Sequence, residues 1–138
     1  MLAMLIAFIV TTSANARIVE IIDGDTVRVK LSRCITVDEE MIICGKIKVR
    51  LHDIDTPEIH GKCEYEKHLA SLAKDYLIRF LKNGDIVALS QIELDKYSGR
   101  IVANMRTKQK VDVSGEMLRL GFAHSYNGKG KRREWCKQ

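Results

Sequence analysis

The chain contains a single proline, Pro57, which lies between two acidic residues at the end of a predicted strand. Proline restricts the residue before it to extended conformations. We therefore expect Thr56 to be extended, which keeps Asp55 and Glu58 off a common helical face and lets the Thr56 carbonyl point away from the chain. Two carboxylates and a carbonyl in this spacing form a plausible oxygen site for a hard cation such as calcium.

The predicted strand before this turn carries an arginine on its polar face. Apolar and basic residues alternate along the second half of Ile42–Leu51, and Arg50 falls among the basic ones. A guanidinium group beside acidic ligands can bind a phosphate through two parallel hydrogen bonds. A solubilising arginine followed by a solvated acidic turn would give the same pattern, so the segment alone leaves both interpretations open.

A second acidic turn, Asp23-Gly24-Asp25, separates the predicted strands Arg17–Ile22 and Thr26–Leu31. Aspartate and glycine are common turn residues, and most such turns bind nothing. If the strand after this turn pairs with Ile42–Leu51, however, Asp25 and Asp55 could converge on one cation. A metal site therefore depends on the fold.

The remaining pattern predicts the fold class. Two more strands are predicted at Asp85–Gln91 and Ile101–Arg106, a long helix at Cys63–Lys82, and a short helix at Val113–Leu120. Five mostly antiparallel strands with one long helix after the third indicate an α+β, mainly β fold. We predict a five-stranded barrel of the OB type with one or two short helices, although other α+β sheets have a similar pattern.

The charge balance favours an anionic partner. Lysine and arginine number 23 against 18 aspartates and glutamates, on 138 residues that suffice for one domain with a core. A basic surface of this kind suits nucleic acid or an anionic membrane. Ordinary solubility charge is the alternative.

The N-terminus resembles an export signal. Residues 1–16 lack charged side chains, the apolar run Leu2–Val10 is too short to span a bilayer, and Ala14-Asn15-Ala16 matches a small-x-small cleavage site. We predict a signal peptide over residues 1–16, cleavage after Ala16, and an exported domain over residues 17–138, either periplasmic or secreted. A short buried strand or helix is the alternative.

Four cysteines support export, because an even number in a short exported domain indicates disulfides. Three pairings are possible. Cys34 and Cys44 flank a nine-residue segment that could form a hairpin loop, which would leave Cys63 with Cys136. Zinc binding is less well supported because no C-x-x-C spacing is present, and free thiols are a further alternative.

Three blocks together resemble the signatures of the staphylococcal nuclease (thermonuclease) family. They are Ile22–Val27, Arg50–Glu58 and Asp95–Arg100, in that order, with the long helix between the second and third. The resemblance covers roughly Val19 to Tyr126. It implies an OB-fold barrel and a calcium-dependent phosphodiesterase that acts on DNA and RNA with low sequence specificity and leaves 3′-phosphate ends.

The resemblance also implies roles for individual residues. Asp25, Asp55 and the Thr56 carbonyl would hold Ca²⁺. Glu58 would bind the metal through water and orient or deprotonate the attacking water.

Further contacts follow from the same resemblance. Arg50 and Arg100 would contact the phosphate. The expected substrate-binding residues are Lys96, Tyr97 and Tyr126, although a half-buried turn residue is an equal alternative for Tyr97 and the local match at Tyr126 is poor. We expect a monomer with nucleic acid and no membrane as its partner.

The chain departs from the family pattern at three places. Ser98 is inserted before Gly99, which could change the direction in which the Arg100 side chain points. The segment Ile59–Lys62 is short, and the C-terminal helix of the best-known member is missing or very short; a Cys63–Cys136 bridge could replace what that helix holds.

Two other functions remain open at this stage. The barrel could bind single strands without cutting them, or it could be a disulfide-stapled exported domain whose acidic turns bind calcium structurally. The basic residues near the C-terminus could follow a long substrate or form a solvated tail; they are Lys129, Lys131, Arg132 and Arg133.

Overall fold

Five strands with alternating buried and exposed residues close into a barrel in the computed structural model, which describes residues 12–97 and 99–136. The elements in chain order are β1 (Ala14–Asp23), β2 (Thr26–Leu31), β3 (Ile35–Val37), β4 (Met41–Ile43), β5 (Lys46–Leu51), β6 (Ile54–Asp55), α1 (Glu64–Phe80), β7 (Ile86–Leu94), β8 (Arg100–Thr107), α2 (Val113–Arg119) and β9 (His124–Ser125).

The barrel has the strand order β1-β2-β5-β8-β7, and β7 closes it by pairing with β1. All neighbouring barrel strands are antiparallel except β5 and β8, which run parallel. Every second residue of β2 and β8 points inward, and Val27, Val29 and Ile101 are fully buried there. The predicted α+β, mainly β barrel of the OB type, with one long and one short helix, is confirmed.

The region before β5 differs from the prediction, because the expected strand Ile42–Leu51 is two strands. It breaks at Cys44-Gly45, where Gly45 has a φ of 74° that favours glycine. β3 and β4 form a small hairpin joined by the Cys34–Cys44 disulfide. Strands of three residues are too short to give a clear alternating signal, so the two strands were not predicted, whereas the hairpin loop and the Cys34–Cys44 pairing agree with the sequence analysis.

Strand β1 begins earlier than predicted, inside the expected signal peptide. Ala14 and Ala16 are buried and pair with Leu89 and Val87 of β7. Residues 14–16 are therefore part of a barrel strand. The rest of the predicted signal peptide, Met1–Thr11, lies outside the described residues.

Helix α1 covers the end of the barrel where the acidic turns lie. Its buried residues include Ala70, Ala73 and Leu77, whereas the larger Tyr65 and Leu72 are 39% and 43% exposed. The small alanines allow close packing on the first acidic turn: a Cβ on Gly24 would lie 3.0 Å from the Ala73 Cβ. A larger residue at Gly24 would therefore crowd Ala73.

The second disulfide, Cys63–Cys136, joins the start of α1 to the end of the chain. In the described part of the chain no helix follows α2. Among the same residues, no helix combines the length and apolar character needed to cross a bilayer.

Candidate active site

The pairing of β2 with β5 brings the two acidic turns together. Thr26 pairs with Arg50, so Asp25 lies beside the arginine. The backbone N–H of Thr56 donates to Asp25 Oδ2 at 3.2 Å. One nitrogen of Arg50 lies 3.3 Å from Asp25 Oδ2 and 3.9 Å from Asp55 Oδ1. The structure thus places the two predicted carboxylates at a common point.

Asp23 adjusts the charge of this cluster. Its carboxylate accepts the backbone N–H of Asp25 at 3.0 Å. Burial, together with the charge of Asp25, raises the pKa of Asp23 to about 7. Asp23 therefore carries a proton for part of the time near neutral pH, which lowers the repulsion between the two neighbouring acids.

Glu58 lies at the cleft on a loop that a buried carboxylate holds in place. The side chain of Glu58 is 58% exposed. Its backbone N–H donates to Glu66 Oε2 at 3.1 Å, and the N–H of Lys62 donates to Glu66 Oε1 at 3.2 Å. A Cβ on Gly61 would lie only 2.6 Å from Glu66 Cδ, so a larger residue would displace this carboxylate. Glu66 was missed because its sequence position predicts only a helical residue.

The two predicted phosphate-binding arginines lie on the same outer face of the barrel. β5 and β8 pair in parallel with Lys48 opposite Arg100, so Arg100 is on the same side as Arg50. Arg100 forms an ion pair with Asp95, and its guanidinium carbon lies 5.0 Å from the ring centre of Tyr97. Ser98, the insertion next to it, lies outside the described residues.

All nine predicted site residues contact one cleft of about 910 Å³. Tyr97 is 60% exposed there rather than half-buried. The Lys96 ammonium group lies 5.5 Å from the centre of the Tyr97 ring. The hydroxyl of Tyr126 donates to the Gly130 carbonyl at 2.9 Å. The cleft thus combines acids, arginines and exposed groups that can contact a ligand.

The cleft also contains Arg132, which the sequence predicted to be on a substrate track or in a solvated tail. Its Nε and Nη2 donate to the two carboxylate oxygens of Asp55 at 2.8 and 3.1 Å. Nη2 also donates to the Thr56 carbonyl at 3.3 Å, and Nη1 donates to Glu58. Burial disfavours the charge, but the hydrogen bonds and charge of Asp55, with the charges of Glu58 and Glu66, outweigh it and raise the pKa of Arg132.

Trp135 supports the same carboxylate. Its indole N–H donates to Asp55 Oδ2 at 3.1 Å, and its ring stacks on His124 with 3.8 Å between the ring centres. Burial, together with the charge of Arg133, lowers the pKa of His124 and favours a neutral imidazole in the stack. The only signal in the sequence for this arrangement was the possible Cys63–Cys136 bridge, which brings the tail to the Glu58 loop.

The donor atoms of the cleft fit a hard cation. Asp25, Asp55 and the Thr56 carbonyl offer oxygen alone, which is what calcium prefers. The described residues contain no ready-made cluster of three or more His, Cys, Asp or Glu side chains. A cation here would therefore use the carbonyl and water beside the carboxylates, and it would have to take the place of the Arg132 guanidinium.

Fold and site together define a small OB-type barrel with a cleft that combines carboxylates and arginines. The chain belongs to the staphylococcal nuclease homologue family, whose model matches residues 48–137. The match includes Arg50, Glu58, Arg100 and Arg132, whereas Asp25 lies before the matched residues.

Two curated relatives give further similarity. A protein of Methanocaldococcus jannaschii named uncharacterized protein MJ1439 is 27% identical over 133 residues, covering 80% of this chain and 58% of the relative. An Escherichia coli protein named uncharacterized endonuclease is 29% identical over 112 residues, covering 81% of this chain and 61% of the relative. The chain thus spans about three fifths of the length of these relatives.

Proposed function

We propose that the chain is a calcium-dependent nuclease that hydrolyses phosphodiester bonds of DNA and RNA with low sequence specificity and leaves 3′-phosphate ends. The observation that carries this proposal is the convergence of Asp25 and Asp55 on one nitrogen of Arg50. Membership of the family and the name of the E. coli relative support it.

The carboxylates of Asp25 and Asp55, with the Thr56 carbonyl, would hold calcium. When bound, calcium supplies positive charge that offsets the charge of the phosphate and stabilises the transition state. Both aspartates are buried, at 8% and 3% exposed, so their position is fixed before any ligand arrives. A preformed oxygen site of this kind avoids reorganisation during the reaction.

Arg50 and Arg100 would bind the non-bridging oxygens of the scissile phosphate. The side chain of Arg50 is only 18% exposed and is held by the Leu51 carbonyl at 3.0 Å. Arg100 is held by Asp95, the residue that follows the neighbouring strand β7. Guanidinium groups fixed in this way stabilise the negative charge that builds on these oxygens.

Glu58 would orient the attacking water or take its proton. The water oxygen would form a bond to phosphorus while its proton passes to the carboxylate, and the bond from phosphorus to the 5′ oxygen would break as that oxygen takes a proton from solvent. The products are a 5′-hydroxyl and a 3′-phosphate. A positioned general base of this type accelerates hydrolysis by ~10²–10⁴-fold.

Low sequence specificity follows from the groups that this site offers. The proposed contacts are to phosphate, which carries no sequence information. Tyr97 is exposed and can stack on any base, and Lys96 and Tyr126 line the same cleft. The formal net charge of +5 adds a general attraction for polyanions.

We further propose that the protein is an exported monomer. The disulfides Cys34–Cys44 and Cys63–Cys136 fit an oxidising compartment. A leader over residues 1–16 remains the predicted route of export.

One assay tests the proposed activity. Purified protein is incubated with plasmid DNA and with RNA in calcium, in magnesium and in chelator. We expect both nucleic acids to be degraded in calcium and the reaction to stop in chelator. Tight, salt-sensitive binding without cleavage in calcium would instead support a non-catalytic OB-fold binding module.

A further inference from the structure

We propose that Arg132 is an internal competitor for the cation site, so that calcium binds only when this guanidinium withdraws. The proposal rests on the calcium site of the proposed function. It concerns the chain's own tail, residues 127–136, which is called the strap below.

The guanidinium contacts nearly every oxygen group that calcium would use. It binds both oxygens of Asp55, the carbonyl of Thr56 and the carboxylate of Glu58. Hydrogen bonds between charged groups of this geometry are among the strongest in proteins. Calcium and Arg132 therefore require the same oxygen atoms and cannot both hold them.

The contact is not an ordinary surface ion pair. The side chain of Asp55 is only 4% exposed and that of Arg132 is 35% exposed. Exposed pairs contribute little because water and salt screen them, but this one is largely shielded. Removing the guanidinium would leave Asp55 with the indole of Trp135 and with Arg50, whose nitrogen lies 3.9 Å away, as its partners.

If Arg132 were a permanent substitute for the metal ion, it would leave the Glu58 carboxylate free to act on water. Arg132 instead binds Glu58. The same guanidinium that binds Asp55 also binds the carboxylate proposed to activate water. Arg50 already provides a cation near Asp25 for the phosphate. The bound position of Arg132 therefore describes a closed site, which must open before hydrolysis.

The strap keeps the competitor close to the site. The Cys63–Cys136 disulfide fixes its end, and the Tyr126 hydroxyl holds the Gly130 carbonyl near its start. A tethered group acts at a high effective concentration. The apparent affinity for calcium is then reduced by the fraction of molecules in which the site is open.

Calorimetric titration of the full chain with calcium chloride, without nucleic acid, tests this competition. The variants are Arg132→Gln and, as a control with the same change of charge, Arg133→Gln at an exposed neighbouring position. If the site is open in about a tenth of the molecules, Arg132→Gln should bind calcium about tenfold more tightly than the wild type. Arg133→Gln should stay within about twofold of the wild type, since it loses only an exposed charge that salt screens and that makes no hydrogen bond to Asp55 among those described.

The fluorescence of Trp135, the single tryptophan of the chain, gives a second readout. Its indole shares Asp55 with Arg132, so calcium should change the emission of the wild type as the strap leaves that carboxylate. If Arg132→Gln fails to fold, Arg132→Lys replaces it. A lysine cannot form the fork of two hydrogen bonds, and an affinity above that of the wild type is expected.

The outcomes separate this inference from the proposed function. Equal, measurable affinities in the wild type and in Arg132→Gln would overturn the competition and leave the calcium site standing. Weaker binding by Arg132→Gln would also overturn it, because the guanidinium would then support the site. Failure of all the proteins to bind calcium would overturn the calcium assignment itself, and the competition with it.

Discussion

Glu66 is a buried carboxylate that does not reach the cleft yet fixes the loop of Glu58. It accepts the backbone N–H groups of Glu58 and Lys62, and it is 5% exposed. A carboxylate has acceptors for both donors, whereas an amide side chain has only one oxygen. We therefore regard Glu66 as a positioning residue for the proposed general base.

The variant Glu66→Gln should lower kcat about tenfold and change KM little. One N–H of the loop would lose its acceptor, at a cost of ~1–3 kcal/mol, and Glu58 would be less well placed. The measurement is steady-state cleavage of DNA in calcium, with a thermal melt to show that the variant is folded. Glu64→Gln, on the exposed side of the same turn, is the control. A normal kcat in folded Glu66→Gln would contradict the positioning role.

At the residue scale, the sequence predicted the groups whose neighbours are local. Asp55, Thr56 and Glu58 were found because a proline shapes their turn. The bond from Glu58 to Glu66 was missed although the two residues are close in sequence, because it depends on how a loop folds back on a helix. Arg132 was missed because its partner Asp55 is 77 positions away and only the closed barrel and the strap bring them together.

At the scale of elements, strand β1 connects the fold with the question of export. Its first residues close the barrel by pairing with β7, from Ala14 opposite Leu89 to Arg17 opposite Ile86. Cleavage after Ala16 would remove three residues of this strand. The proposed cleavage of the leader would therefore remove residues that pair within the barrel.

A chain that starts at Arg17 should be less stable than one that starts at Thr12. It loses backbone pairing with β7 and two buried alanines, and each kcal/mol lost lowers the melting temperature of a small domain by roughly 4–8 °C. Thermal melts of both chains in chelator measure the difference. A chain that starts at Ala14 retains the whole strand and is the control. Equal melting temperatures for all three would show that these residues do not stabilise the barrel.

The elements differed in how well the sequence predicted them. Long elements such as β2 and α1 were found because their apolar periodicity extends over many residues. The short pairs β3–β4 and β6–β9 were not, since two or three residues give no period. The contact of α1 with the first acidic turn was not predicted, because it uses small residues such as Ala73 and depends on how the helix packs on the barrel.

At the scale of the whole molecule, the closed barrel assembles the site from distant parts of the sequence. The turn before β2 contributes Asp25, β5 contributes Arg50, β6 contributes Asp55, the loop after β6 contributes Glu58, and β8 contributes Arg100. The sequence predicted these residues as a set only through the family resemblance. Their distances and the occupation of the cleft by Arg132 followed from the fold.

The central claim is that the carboxylates and arginines of the cleft surround one phosphodiester, with Glu58 next to the attacking water. The most direct measurement is single-turnover cleavage of a short single-stranded DNA in saturating calcium, by the wild type, Glu58→Gln and the control Glu64→Gln. We expect Glu58→Gln to cleave ~10²-fold or more slowly while binding the DNA normally, and the control to match the wild type. A rate for Glu58→Gln within about twofold of the wild type would contradict the account.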